Sequence, residues 1–446
     1  MPGPAQPARP NWPRIITEGG FVTTTPVQPA GTFLLDDTTY GKLDTGTLGG
    51  DITWSDISPW TRSGSVNRPG NRQQGPLWTA GQGSASLTLH NGDGRFDPDN
   101  LSGPYVAAGA TELNAMVPVR VRATWAGTTY SLFSGFADSW ADDGINYAGR
   151  YAETTLTASD GQKALNGIQL PPVTPAGAGE ASGNRVNRIL NAAGWYTGTA
   201  YRQIAAGLTT LQAYTGGDSA WNMLQTVADT EIGDLYIDGS GRLVFRSRYG
   251  ILNDTRSSTP QAVFGDAPGT AETAGTENAY YTASRNRDDT TLANDIQATR
   301  TGGGVMQQAT DAASVVTYKF PRSYARSDLL QQDDATVLSW AQWVLYISKA
   351  GEARFDTLII KPLRDPANLW PLALGLDIGT RIQIWRRPPG TAAPVTRDCF
   401  IRGIAHTWDT GSWQTTFTLQ DATKYGSFLT LNHATLGRLD SNALAY

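Results

Sequence analysis

Residues 133–140 read FSGFADSW, and residues 401–408 read IRGIAHTW. Gly135, Ala137 and Trp140 recur as Gly403, Ala405 and Trp408 at the same spacing, and apolar Phe136 corresponds to Ile404. Downstream, 154–163 reads TTLTASDGQK and 415–424 reads TTFTLQDATK. Eight of the eighteen compared positions are identical, in one chain order. Each pair of blocks follows an alternating strand that ends in tryptophan, at Trp125 and Trp385. Self-similarity of this kind marks a repeated structural unit, and period-2 alternation makes that unit a β-hairpin or meander. A glycine with a tryptophan five residues later suits a bent strand carrying an aromatic plug. The fold class that follows is α+β, mainly β: two related β-barrel-like domains with a small α/β module between them. Closure into barrels would remove exposed strand edges.

The rest of the chain divides around these blocks. Pro2, Pro4, Pro7, Pro10 and Pro13 predict residues 1–50 as an extended arm, because proline fixes φ and removes amide donors. Such an arm is a tail or a peptide docked on a neighbouring subunit. Residues 51–165 form the first β-barrel-like domain, with alternation at 86–90, at Val117, Val119 and Val121, and in strands near 130–140 and 151–158. Residues 166–260 form the α/β module after a Pro/Gly/Ala linker from Pro171 to Gly179. One helix there follows Asn184, with Val186, Ile189, Leu190 and Ala193 inward and Gly194 as its stop. A second follows Asp218, with Trp221, Leu224, Val227 and Ala228 on one face. Residues 235–245 read as a hairpin around a glycine turn. Residues 261–430 form the second barrel-like domain, with strands near 292–300 and 314–320 and a helix near 334–349; residues 431–446 are a C-terminal tail.

Composition bounds the function. The chain has 446 residues, which suggests about three domains. Hydrophobic residues make up 39%, enough for real cores, so wholesale disorder is excluded. No apolar run reaches the roughly 18 residues that cross a bilayer, and the first residues lack the apolar core of a secretory signal. Cys399 is the single cysteine, so no intrachain disulfide forms. The net charge of −5 argues against wrapping DNA phosphates. It leaves room for DNA to pass nearby without binding. The 49 glycines and 25 prolines imply short strands joined by many turns.

Catalytic patterns are scarce. There is no GxSxG elbow, HExxH, CxxC or P-loop, and His90, His406 and His433 lie on different segments. His406 stands where the other block carries Asp138, which favours a structural role over a shared catalytic base. A glycosidase would need two carboxyls at the right separation; the sequence allows Glu231 with Asp234 or Asp238, and no motif favours that pair. Asn91-Gly-Asp-Gly-Arg-Phe-Asp-Pro-Asp-Asn100 resembles a calcium loop, but Arg95 occupies a position that needs an oxygen and no glutamate closes the loop. It reads as a tight turn in which Asp93 and Asp97 bond to backbone amides and Arg95 pairs with a carboxylate. The residues singled out are therefore a structural motif: Asp93, Gly94, Arg95, Phe96, Asp97, Gly135, Trp140, Gly403 and Trp408. No catalytic residue, cofactor or metal ligand is assigned. Among 14 tryptophans, Trp140, Trp408, Trp221 and Trp340 fall at inward positions, which suits core packing better than sugar stacking.

The stretch from Gly83 to Tyr105, GSASLTLHNGDGRFDPDNLSGPY, resembles the signature of minor tail proteins of long-tailed actinobacterial phages. The resemblance continues through Pro118-Val-Arg-Val-Arg, Leu132-Phe-Ser-Gly-Phe136, the helix around 187–195, Val227-Ala-Asp229 to Phe245, Arg387-Pro-Pro-Gly390 and 403–408. It covers about residues 50–425 and leaves out the proline-rich arm and the last twenty residues. It implies a non-enzymatic baseplate or tail-tip hub of a bacteriophage virion, similar to trimeric tail hubs. Such a homotrimer would carry two β domains per chain, adapt a six-fold tail tube to a three-fold tip, and form part of the DNA ejection channel. The implied partners are tail-tube, distal tail, tape-measure and other tip subunits, with DNA passing through the lumen unbound and assembly in the host cytoplasm. The alternatives are a distal tail ring protein, a tail-associated cell-wall hydrolase and a glycan-binding module.

Overall fold

The computed structural model describes residues 10–21, 54–71, 76–107, 109–142, 152–267, 277–287, 289–351, 354–390 and 394–426. Most of the expected arm and all of the C-terminal tail lie outside them. The chain forms two compact units: 1–66, 84–160 and 407–412 in the first, and 67–83, 161–406 and 413–446 in the second. The expected α/β module and second β domain thus share one unit.

The first unit is built on β1 (Arg14–Gly19), β2 (Thr61–Arg68), β3 (Ser84–His90), β4 (Pro118–Trp125), β5 (Thr128–Asp142) and β6 (Glu153–Asp160). Their order across the sheet is β2-β3-β6-β5-β4-β1. Strand β3 has the burial alternation its sequence dictates, with Ala85, Leu87 and Leu89 inward. Val119, Val121, Phe133 and Leu156 are almost fully buried with them. Strand β1 comes from the proline-rich segment expected to be an extended arm. It pairs antiparallel with β4 from Arg14↔Thr124 to Gly19↔Val119, and Glu18 accepts from both Arg120 and Arg122.

The second unit opens with the α/β module: α1 (Ser182–Ala192) and α2 (Ala220–Glu231) pack on β7 (Arg202–Ile204), β8 (Asp234–Ile237) and β9 (Leu243–Arg246). The apolar faces expected from the sequence meet there, with Val186, Ile189 and Leu190 against Trp221, Leu224, Val227, Leu235 and Phe245. Ser219 caps α2 by accepting from the Asn222 amide. Beyond it lie β10 (Val263–Gly265), β11 (Thr282–Asn286), β12 (Asp295–Arg300), β13 (Gln307–Thr310) and β14 (Ser323–Leu329). Helix α3 (Asp334–Ser348) covers the small sheet β13-β12-β14 through Val337, Trp340 and Val344. Where the sequence predicts a strand near 314–320, residues 312–318 form a helix, and the Asp311 carboxylate caps it by accepting from the Ser314 amide.

The chain then forms β15 (Arg354–Ile360), α4 (Pro366–Gly375), β16 (Arg381–Arg386), β17 (Val395–Trp408) and β18 (Trp413–Asp421). The order here is β10-β16-β17-β18-β15-β11. Neither sheet closes on itself among the described residues, so the expected barrels are not formed. Among the described residues of the first unit, β1 is followed outward only by Ser55–Asp56. The Asp56 carboxylate then accepts from the Ser58 amide and the chain turns through Pro59, which ends the ladder.

Candidate functional site

The two matched blocks occupy the same place in two sheets. In the first unit, β3 is followed by a long connection and then the meander β4-β5-β6, whose last strand returns to pair with β3. In the second, β15 is followed by a connection containing α4 and then the meander β16-β17-β18, whose last strand pairs with β15. Both orders are first-fourth-third-second, a Greek key.

The correspondence reaches single hydrogen bonds. In the first unit the Met116 amide donates to Ala137 O (2.8 Å) and the Ala137 amide to Val117 O (2.7 Å). In the second the Gly379 amide donates to Ile401 O (2.7 Å) and the Ile401 amide to Thr380 O (2.9 Å). Met116 and Gly379 both hold positive φ, 68° and 82°, just before their meanders. This pairing sets Ala137 on Ile401, whereas the sequence match sets Gly135 on Gly403. The matched letters are therefore not matched positions. Gly135 lies opposite Asp160. A Cβ on Gly403 would approach Thr418, three residues before Asp421. The two glycines also answer different needs: a Cβ on Gly135 would come within 2.2 Å of Ser159 O, and one on Gly403 within 2.8 Å of the Gly70 amide.

The signature turn packs onto the first meander. The Gly94 amide donates to Asn91 O with Gly94 at φ 70°, and Asn100 Nδ2 returns to Gly94 O. Asp93 accepts from the Arg95 amide and, at 2.7–2.8 Å, from its guanidinium. Asp97 accepts from the Asp99 amide. Burial pushes the Asp93 carboxyl up, but the Arg95 bonds outweigh it and hold the group below the usual carboxylate range. The other face of Arg95 lies 3.7 Å over the Trp60 ring. Phe96 is fully buried and stacks on Trp140 (6.2 Å between centroids) and Tyr105 (5.6 Å). Phe21 completes the cluster at 4.2 Å from Tyr105. The turn thus joins the singled-out Phe96 and Trp140. Sequence reasoning missed Phe21 and Trp60, because nothing local ties them to a turn several tens of residues away. Trp408 is buried in the same unit, its ring 2.5 Å from where a Cβ on Gly64 would stand.

The carboxylates considered for hydrolysis are tied into structure. Glu231 accepts from the Ser182 hydroxyl and the Leu208 and Thr209 amides. Asp234 accepts from Arg402 at 2.7 Å, and Asp238 holds the Ser240 and Arg242 amides of its own turn. His406 is buried against the Thr415 hydroxyl (3.1 Å), and desolvation, reinforced by the Arg68 charge, lowers its pKa to about 3. His90 bonds Arg62, and His433 lies outside the described residues. Among the described residues no three His, Cys, Asp or Glu side chains gather as a metal site, and no helix is long and apolar enough to cross a membrane. Trp140, Trp408, Trp221 and Trp340 are all buried.

No family model and no curated protein matches the sequence. Solved structures do match. The tail protein from Neisseria meningitidis MC58 superposes with a TM-score of 0.50 at 13% identity, over 83% of this chain and 93% of that one. The 43 kDa tail protein of prophage MuSo2 from Shewanella oneidensis superposes with a TM-score of 0.50 at 13% identity, over 93% of this chain and 98% of that one. The chain has the fold of these tail proteins. At this identity the likeness is one of fold alone.

Proposed function

We propose that this chain is a structural component of a phage tail, a tip or baseplate hub that adapts a six-fold tube to a three-fold tip. The observation that carries the reading is the pair of Greek-key sheets with the same strand order and the same positive-φ crosslink. Three such chains present six similar β units to a six-fold neighbour, while each chain keeps one tip-facing α/β module. Closed rings form when a heterologous contact repeats through a rotation that closes. The resemblance of the 83–105 signature to minor tail proteins, and the fold shared with the two tail proteins above, support placing the chain in a virion. The partners would be tail-tube, distal tail, tape-measure and tip subunits. The acidic chain would line a channel through which DNA slides without binding.

The function is then carried by buried interface and not by a reactive side chain, and the structural bonding of Glu231, Asp234 and Asp238 is in keeping with that. Native mass spectrometry of the purified chain should give a species near three times the 47.8 kDa of one copy. A six-copy species would favour the distal tail ring, and release of sugar or peptide from peptidoglycan would favour the hydrolase.

A further inference from the structure

The second meander shows what covers the free side of its long strand. Beyond Ile401, β17 has passed the end of β16, whose last partner along it is Phe400. The chain at Arg68–Gly70 lies there instead: a Cβ on Gly70 would sit 1.7 Å from Arg402 O, and one on Gly403 would sit 2.8 Å from the Gly70 amide. Gly64 meets Trp408 in the same antiparallel sense. This covering segment is β2 with the residues just after it, and β2 is the strand beside β3 in the first sheet. In the first meander, β5 likewise outruns β4, whose last partner is Phe136, while pairing with β6 continues to Asp142. Among the described residues no strand lies on the outer side of Ser139–Ala141. By the hydrogen-bond correspondence, Ser139 stands where Gly403 does. The strand that corresponds to β2 is β11, which lies beside β15 as β2 lies beside β3. Its side chains are mostly exposed, and among the described residues it pairs with β15 only.

We propose that β11 of a second copy of this chain adds antiparallel to the outer edge of β5 at Ser139–Ala141. The contact would repeat between chains what the chain at 64–70 does along 402–408. Charge agrees with the choice of partner: β11 and the residue after it bring exposed Arg285 and Arg287, and the β5 edge ends at exposed Asp142, with half-buried Asp138, whose carboxylate accepts from the Ser159 hydroxyl, on its other side. Strand addition satisfies edge amides and carbonyls that would otherwise template aggregation. The contact is heterologous, so it propagates around a ring. It rests on the ring reading above and assigns the interface that closes the ring.

The test is intermolecular disulfide trapping. Ser139→Cys and Ser284→Cys are placed in one chain, with Cys399→Ser to remove the native thiol, and oxidised under native conditions. Covalent dimers and trimers on a non-reducing gel, absent from either single variant, are expected. A charge-reversed pair, Arg285→Glu with Arg287→Glu, should weaken self-association at least about tenfold through like-charge contact. Adding Asp138→Arg and Asp142→Arg should restore it. Rescue separates interface repulsion from misfolding. If the native chain is trimeric but no crosslink forms and charge reversal leaves assembly unchanged, the β11–β5 contact is overturned and the ring reading survives. If the native chain never self-associates, both are overturned.

Discussion

Phe96 shows how a single residue in a surface turn organises a core. Its ring is fully buried among Trp140, Tyr105, Phe21 and Trp60, which come from four separate stretches of chain. Phe96→Ala should destabilise the first unit by about 3–5 kcal/mol, the range for emptying an aromatic site. Arg95→Ala should cost about 1 kcal/mol or less, because its ion pair with Asp93 is partly exposed and its stacking on Trp60 is a surface contact. Urea denaturation of the two variants checks the ordering. The aspartates and arginine of this turn were legible in the sequence because their bonds span two residues. The aromatic partners were not, because they are fixed by tertiary packing.

His406 yields a pH prediction at the same scale. Its folded pKa of about 3 lies below the ordinary 6.5, so between those values the unfolded chain holds a proton that the folded chain does not. Its contribution is therefore present above about pH 6.5 and is lost as pH falls toward 3, by at most about 1.4 kcal/mol per pH unit. Replacing it by Gln should flatten the stability–pH curve in that window. An unchanged slope would mean that the buried imidazole is not responsible.

Among the elements, the helices were the most readable. α1, α2 and α3 fall close to their expected spans, because an apolar period of 3.6 and a capping residue are local signals. Strand β1 was hidden. It is six residues long, lies among prolines, and is held by β4 from a hundred residues away, with Glu18 between Arg120 and Arg122. The repeat was legible as two meanders but not in register: Gly135 and Gly403 were matched as letters, while the backbone bonds match Ala137 with Ile401. Glycine recurs at such sites wherever a neighbouring backbone comes close, and that need arises at different points of the two hairpins. Gly70→Ala should therefore be severe, several kcal/mol, because the new Cβ would press on Arg402 O and part the two segments. Gly127→Ala, with open space around it but φ at 84°, should cost only about 1 kcal/mol. Thermal melts of the two variants should differ accordingly; equal losses would contradict the close backbone approach.

At the scale of the whole molecule, the expected barrels are open Greek-key sheets among the described residues, and that difference bears on assembly. A closed barrel has no edge to offer. Among the described residues an open sheet ends in strands such as β11, and β5 runs on past the last residue it pairs with on β4. The chain therefore carries two like Greek keys, and the proposed β11–β5 contact would use such edges to link one copy to the next. The proposed hub is tested most directly by the rotational symmetry of the purified assembly in electron cryomicroscopy. A three-fold particle is expected, in which the β sheets, two per chain, form a ring of six similar densities around a central opening. A six-fold ring of whole chains, or a particle whose two sheets per chain do not share one ring, would contradict it.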